Sequence, residues 1–376
     1  MNKQRLLNNL IEMLKIHSPS KKEGEYANYL VNLLKEMGAL IYLDEGHLEY
    51  GGDSPSIIAK FPGDIEGDGV TLAAHMDVVE PNSNVNPIVD GNIIKTDGTT
   101  TLGGDDKGGI AAIIESLRTI IEEKIPHRDI YIILTPCEEI GMLGAKYFDW
   151  NTVPRDMFPA KNMIVVDNAG KSGLIAHSAP SKYDIEICFQ GKKAHAGIEP
   201  EKGINAITVA SYALSLMNIG RIDNLTTSNI SKINSEFPSN VVPDVCRING
   251  EIRSHSEDRI LEIIELYKKS CDESIEKLGG SYKLDYKCDY PVLKPKDNLV
   301  FAKQFAKIYE ELNIPSELKV IGGGSDSNIF AKQGFNSIII GVGMNNVHTV
   351  EEYLEIDELL KTTEALVRYI KRESLD

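Results

Sequence analysis

Cysteine is scarce in this chain: there are 5 in 376 residues, at positions 137, 188, 246, 271 and 288. Their number is odd, their spacing irregular, and no C-x-x-C pair occurs, so no disulfide framework is expected. A reducing, cytoplasmic setting is the matching expectation. Long apolar runs are missing too, with nothing near the roughly 20 residues that span a bilayer. The N-terminal stretch MNKQRLLNNLIEMLKIHSPS lacks the continuous apolar core and small-residue cleavage site of a signal peptide, and it reads as an amphipathic helix. Positive charge is also in deficit. Lys and Arg number 40 against 56 Asp and Glu, a net charge of −16, which argues against nucleic-acid binding through a basic surface. Neither a nucleic-acid nor a membrane partner is expected. What remains is ordinary soluble globular composition, 42% hydrophobic and 26% charged, without repeats or low-complexity segments.

Helix and strand patterns alternate through the first half. Helices are expected near residues 2–16, 24–38 and 106–124, with strand-like runs SIIAKFPG, VTLAAHMDVV, DIYIILTP and NMIVVDN between and after them. That order predicts an α/β domain with a largely parallel or mixed sheet. The texture changes near residue 178. SKYDIEICFQGKKAH alternates as a half-exposed strand does, and a β-α-β-β-α-β order continues to SYKLDYKCDY. This suits a small α+β domain with one exposed sheet face. After PVLKPKDN the α/β texture returns and closes on a helix at 356–373. The chain therefore reads as a discontinuous α/β domain, residues 1–177 and 290–376, interrupted by an inserted α+β domain, residues 178–289.

Several apolar strands of the α/β part end in residues that hold metals. TLAAHMDVV carries His75 and Asp77, YIILTPCEE ends in Glu138 and Glu139, NMIVVDN holds Asp167, and SIIIGVGMNNVH leads to His348. Between them, TTTLGGDDKGG contains Asp105 and Asp106. Each has an everyday structural reading alone: a satisfied buried histidine, a helix cap, a turn former, a solvated helix start. Together they are harder to dismiss. Sites in open α/β sheets gather at the carboxyl ends of strands, and uncompensated acids beside apolar strands are costly. Divalent cations would offset that cost. His75 and Asp77, two apart on a strand, point to one side, as a ligating histidine and its orienting carboxylate do. Histidines and carboxylates without thiolates favour Zn²⁺, Mn²⁺ or Co²⁺. A helix-like pattern is expected directly after Glu139.

HMDVV, GGDDKGG, TPCEEIG, VVDNAG and NNVHTVEE, in this order, resemble the peptidase T-like (tripeptide aminopeptidase-like) branch of the dinuclear zinc aminopeptidase/carboxypeptidase/deacylase superfamily. The resemblance covers nearly the whole chain. It implies a phosphorylase/hydrolase-like zinc exopeptidase sheet sandwiched by helices, with an inserted ferredoxin-like α+β lid or dimerisation domain. It further implies two Zn²⁺ per chain, with His75 and Asp167 on one, Glu139 and His348 on the other, and Asp105 bridging. Asp105 rather than Asp106 starts the family's Asp-x-Lys-Gly pattern. Asp77 would orient His75, and Glu138 would act as general base and acid in amide hydrolysis. By the same resemblance GKKAHAGIEPEKGINAI nominates His195 as an oxyanion donor in its own or a partner's site. SNVVPD and GEIRSHS nominate Asn240 and Arg253 as substrate contacts. A homodimer through the inserted domain is implied as well.

One segment departs from the pattern. Tripeptide aminopeptidases of this group carry Arg-Gly-Gly-Thr-Asp, which helps bind the peptide's terminal carboxylate. Here the stretch is VIGGGSDSNIF, with Gly322 in the Arg position, and losing a bidentate clamp is not a small change. Arg253, Lys192 or Lys193 could bind a carboxylate instead. The expected substrate is thus a short peptide cut by an aminopeptidase, with an N-acyl amino acid or carboxypeptidase substrate as the alternative. A metal-binding protein without turnover is the remaining reading.

Overall fold

The structure is a computed structural model and describes residues 1–371. The first half of the chain supplies β1 (Leu40–Asp44), β2 (Ser56–Phe61), β3 (Val70–His75), β4 (Ile88–Asp90), β5 (Ile93–Lys95), β6 (Ile130–Thr135), β7 (Asn162–Asn168) and β8 (Leu174–Ser178). Its helices are α1 (Lys3–Lys15), α2 (Gly24–Glu36), α3 (Gly104–Glu122) and the short α4 (Leu143–Lys146). Then come β9 (Ser181–Gln190), α5 (Ala206–Leu216), β10 (Gly220–Asp223), β11 (Thr226–Asn234), β12 (Val245–Ser254), α6 (Glu257–Leu278) and β13 (Ser281–Tyr290). The chain continues with α7 (Val300–Glu311), β14 (Glu317–Val320), α8 (Asp326–Lys332), β15 (Asn336–Gly341), β16 (Met344–Asn345), β17 (Tyr353–Glu355) and α9 (Ile356–Ile370).

These elements form two compact units. One comprises Met1–Ser178, Lys294–Ile321 and the chain from Ser325 onward; the other comprises Ala179–Leu293 with Gly322–Gly324. The first unit is built on an eight-stranded mixed sheet ordered β1-β2-β6-β3-β7-β15-β8-β14. At its centre β6, β3, β7 and β15 run parallel. Their near-continuous apolar sequences follow from burial on both faces, and every residue of β3 and β6 is buried. Alternate residues serve opposite faces. Leu72 and Ala74 join a core with Leu10 of α1, Leu117 of α3, Phe305 of α7 and Leu366 of α9. Elsewhere in this unit Trp150 packs on Phe148, Phe330 and Phe335. A small sheet, β16-β17-β5-β4, carries the late chain.

The second unit is a five-stranded antiparallel sheet ordered β10-β11-β12-β9-β13. Helices α5 and α6 bury Val209, Ala213, Ile260, Ile264 and Tyr267 against Ile187, Ile248 and Ile252. Asn205 and Ser256 cap the two helices by accepting backbone N–H groups. The expected β-α-β-β-α-β order gains one strand, β10. It escapes the pattern because it is four residues long and mostly exposed, begins at a glycine with φ +97°, and pairs with β11 through a bulge. The helix expected after Glu139 is also shorter than its sequence suggests. Cys137 and Met142 adopt left-handed backbone, φ +56° and +59°, so a turn precedes the four-residue α4.

Candidate metal centre

The parallel strands explain why distant residues meet. β3 pairs in register with β6, His75 opposite Thr135, and β7 flanks β3 on its other side. The chain leaving each strand's carboxyl end therefore enters one crevice. His75 closes β3, Glu138 and Glu139 follow β6, Asp167 lies near the end of β7, and His348 comes from the loop after β15 and β16.

Asp105 sits between the two histidines. Its Oδ1 lies 3.1 Å from His75 Nε2, and its Oδ2 lies 3.3 Å from His348 Nε2. His75 Nε2 is also 3.5 Å from Asp167 Oδ1, and His348 Nε2 is 3.0 Å from Glu139 Oε1. The sequence-nominated ligands are thus brought together as two clusters joined by one carboxylate. Asp106 falls within ligand range of His75 and Asp167 as well, but its oxygens serve the backbone. Oδ2 accepts His75 N–H at 3.3 Å and Oδ1 accepts Gly109 N–H at 3.1 Å. Asp105 and Asp106 have non-helical backbone, so Asp106 caps the regular part of α3.

The turn after β6 decides where the two glutamates point. Its three successive N–H groups go to two buried carboxylates. Glu23 Oε1 accepts from Cys137 at 3.0 Å, Asp77 Oδ1 from Glu138 at 2.8 Å, and Asp77 Oδ2 from Glu139 at 3.2 Å. Ser20 Oγ donates to Asp77 Oδ2 at 2.6 Å. Asp77 also meets His75, whose Nδ1 lies 3.0 Å from the Asp77 carbonyl oxygen and 3.4 Å from its Oδ1. The Asp105 segment has a comparable clamp. Glu352 accepts N–H from Leu102 and Gly103 on Oε2, both at 2.9 Å, and from Asp105 on Oε1 at 3.0 Å. Sequence reasoning missed Glu23 and Glu352. Neither lies in a strand-end motif; the one available signal was Glu352 inside NNVHTVEE, four residues after His348.

Charge in the crevice is one-sided. Burial pushes the carboxyls of Glu138, Glu139 and Asp167 above their usual range, Asp167 to about 7. Buried Asp326, which accepts a hydrogen bond from Thr135, is pushed up to about 6 and adds to the field at Glu138. Asp105 alone is held well below the carboxylate range: burial raises it, but the bonds to His348 and His75 outweigh that. Burial opposes charging His75, yet Asp167, Asp105 and Asp77 hold its pKa well above the usual value. The close approach of the Asp105 and Glu139 carboxylates lifts His348 to about 10. The imidazoles are here the positive partners of an excess of buried acid. Glu139 Oε1 is buried and makes no hydrogen bond despite its approach to His348. Two lone-pair donors converging without a proton geometry, in an all-N/O donor set, fit hard or borderline divalent cations.

In the second unit His195 and Asn240 lie on adjoining loops. His195 bridges Val241, Ala196 N–H donates to Asn240 O at 2.9 Å, and both nominated side chains are exposed. Arg253 stands apart on β12, half-buried, with Nε donating to Glu251 Oε1 at 2.7 Å.

A mixed α/β sheet that collects two imidazoles and this many acids at its carboxyl edge, with one carboxylate between the imidazoles, defines a metal-dependent hydrolase. Residues 71–372 match the model of peptidase family M20/M25/M40, and the chain belongs to that family, as a peptidase T-like metallo-exopeptidase. Bacillus subtilis (strain 168) protein YqjE is 36% identical over 371 residues, 99% of each chain. Among solved structures, aminopeptidase PepT from Bacillus cereus ATCC 10987 superposes with a TM-score of 0.90 at 32% identity, covering 99% of this chain and 98% of that one. A tripeptidase from Staphylococcus aureus subsp. aureus Mu50 gives 0.92 at 32% identity with the same coverage. No helix among the described residues is long and apolar enough to cross a membrane.

Proposed function

We propose that the chain is an aminopeptidase for short peptides that works with two zinc ions, Mn²⁺ or Co²⁺ being able to substitute. His75 and Asp167 would hold one ion, Glu139 and His348 the other, and Asp105 both. The observation that carries this reading is Asp105 between the two histidines, one oxygen facing each. Bound ions would lower the pKa of a water and polarise the scissile carbonyl. Glu138 is assigned the proton work. It projects from the same turn as Glu139, and burial pushes its carboxyl above the usual range, as suits a group that must take up a proton. It takes the attacking water's proton and returns it to the leaving amine nitrogen. Asp77 and Glu23 fix the backbone from which it acts. His195 is assigned to the oxyanion, in its own or a partner subunit's site, and Asn240 and Arg253 to the substrate. Residues 1–177 with 290–376 would be the catalytic domain, and residues 178–289 a lid through which a homodimer forms. A cytoplasmic setting accords with the scarce, unpaired cysteines.

Gly322 favours a second reading of the substrate. A Cβ there would meet nothing within 4 Å, and no side chain clamps a peptide carboxylate at that point. A carboxypeptidase or N-acyl-amino-acid substrate is therefore the alternative on the same machinery. A panel of di-, tri- and N-acylated peptides, assayed on chelator-stripped protein reloaded with Zn²⁺, Mn²⁺ or Co²⁺, separates the two by the need for a free α-amine. Glu138→Gln should lower kcat by at least about a hundredfold while metal content stays unchanged. Full activity in that variant would overturn the assignment of the base.

A further inference from the structure

The amino ends of the central strands border a cavity apart from the metal centre. Residues 67–69 run into β3, Arg128 stands two residues before β6, and residues 158–162 lead into β7. With Tyr131 these line a cavity of about 620 Å³, room enough for a small organic molecule. Arg128 is only 5% exposed. Its Nε and Nη2 are buried and have no hydrogen-bond partner. Those two nitrogens form one edge of the guanidinium, the edge that grips a carboxylate or phosphate with two parallel bonds.

The nearby acids do not neutralise it. Asp129 accepts from Gly63 N–H at 2.8 Å and pairs with Lys60 Nζ at 2.7 Å. Asp64 accepts from His127 N–H at 2.9 Å. Asp68 lines the cavity but is exposed to water and forms no ion pair with Arg128. A second cation, Lys161, also lines it, donating to Gln333 O at 2.9 Å and lying 4.8 Å from the Phe158 ring centroid. A locally positive pocket is unexpected in a chain of net charge −16, and a buried guanidinium without an acceptor is costly.

We propose that this cavity binds a small organic oxyanion, a carboxylate or a phosphate ester, through the Nε–Nη2 edge of Arg128, with Tyr131 and Phe158 against its body. The site is independent of the reaction assigned above. In the ligand-free protein the two nitrogens are closed to solvent, so binding turns the end of the Arg128 side chain into the cavity through its staggered torsions. The competing account is a buried water that joins Arg128 to Tyr369. The Tyr369 hydroxyl also lacks a partner and feels the Arg128 charge.

Calorimetric titration and thermal denaturation of the metal-loaded protein distinguish these accounts. Benzoate, phenyl phosphate and inorganic phosphate are the ligand arms, and benzamide is the uncharged control. At least one of the oxyanions should bind with one-to-one stoichiometry beyond any heat from the metal centre and raise Tm with concentration. Arg128→Met should weaken that component at least about tenfold with peptide hydrolysis unchanged. Heat retained in this variant belongs to the metal centre. Ala160→Phe, which fills the cavity and leaves Arg128 in place, should remove the same component, and it serves if Arg128→Met does not fold. Binding unaltered in both variants, binding by benzamide alone, or no binding by any anion would overturn the proposal.

Discussion

Asp77 carries the backbone of Glu138: its Oδ1 accepts the Glu138 N–H at 2.8 Å while its own carbonyl oxygen lies 3.0 Å from His75 Nδ1. One residue thereby links the end of β3 to the turn after β6. A hydrogen bond at Nδ1 leaves Nε2 directed at Asp105 and Asp167.

Asp77→Asn keeps size but replaces one accepting oxygen with an amide that cannot accept. One of the Glu138 and Glu139 N–H groups then loses its partner. Metal affinity should fall about 10- to 100-fold, with a parallel loss of kcat, measured by competition against a chromophoric chelator. Unchanged affinity would show that neither His75 nor the turn bearing Glu139 depends on the Asp77 carboxylate.

Glu23 should matter through pH as well as geometry. Burial, with the charge of Asp77 second, pushes its carboxyl up to about 7. A carboxyl whose folded pKa is raised binds its proton more tightly in the fold than in the unfolded chain. The stability it contributes is therefore present at low pH and is lost as pH rises from about 4.5 towards 7. Relative to Glu23→Gln, the native chain should lose thermal stability across that window and level off above it. A Tm difference independent of pH would refute the shift. Glu23→Ala strands the Cys137 N–H and should cost about 1–3 kcal/mol at every pH.

Glu352→Ala strands three backbone N–H groups, whereas Glu23→Ala removes the acceptor of the Cys137 N–H and thiol and one of two acceptors of the Lys21 N–H. Urea denaturation should show the larger loss for Glu352→Ala, beyond the roughly 1–3 kcal/mol of one unpaired group. Its metal affinity should fall too, because Asp105 is the residue released. Equal losses in the two variants would mean that the 102–105 segment is held by something else.

The thiols offer a direct check on the packing. Cys137, Cys246 and Cys271 are buried, whereas Cys188 and Cys288 are half-exposed, and burial pushes the Cys271 thiol up to about 12. Disulfide-exchange titration at pH 8 should find two reactive thiols in the native protein and five after denaturation. Rapid reaction of a third would place a buried cysteine wrongly.

Much of this was legible in the sequence because burial writes itself as pattern. NMIVVDN and SYKLDYKCDY mark β7 and β13 to the residue, the first as a continuous apolar run and the second by alternation. Four of the proposed metal ligands, His75, Glu139, Asp167 and His348, were legible because each ends or follows an apolar strand, whereas Asp105, in the Gly-rich TTTLGGDDKGG, was singled out by the family resemblance. The short strands β10, β16 and β17 were not, since two to four residues carry no period. Glu23 and Glu352 were hidden for another reason. The partners that give them their role include backbone N–H groups more than a hundred residues away, and a backbone donor leaves no trace in residue type. The double duty of Asp77 was half legible: spacing tied it to His75, but only the left-handed Cys137 turns the Glu138 and Glu139 N–H groups towards it.

The two clamps also differ in when their parts are made. Ser20, Glu23 and Asp77 all precede Cys137–Glu139 in the chain, so a ribosome has already released every group that fixes this turn when β6 appears. Asp105 waits for Glu352, which is synthesised 247 residues later. Since chains acquire structure from the N-terminus during synthesis, the carboxylate assigned to proton transfer can be set early, whereas the assigned bridge is held only once residue 352 has emerged. A nascent chain would thus carry its acids without a finished cage, and metal capture would wait for the segment that holds His348 and Glu352.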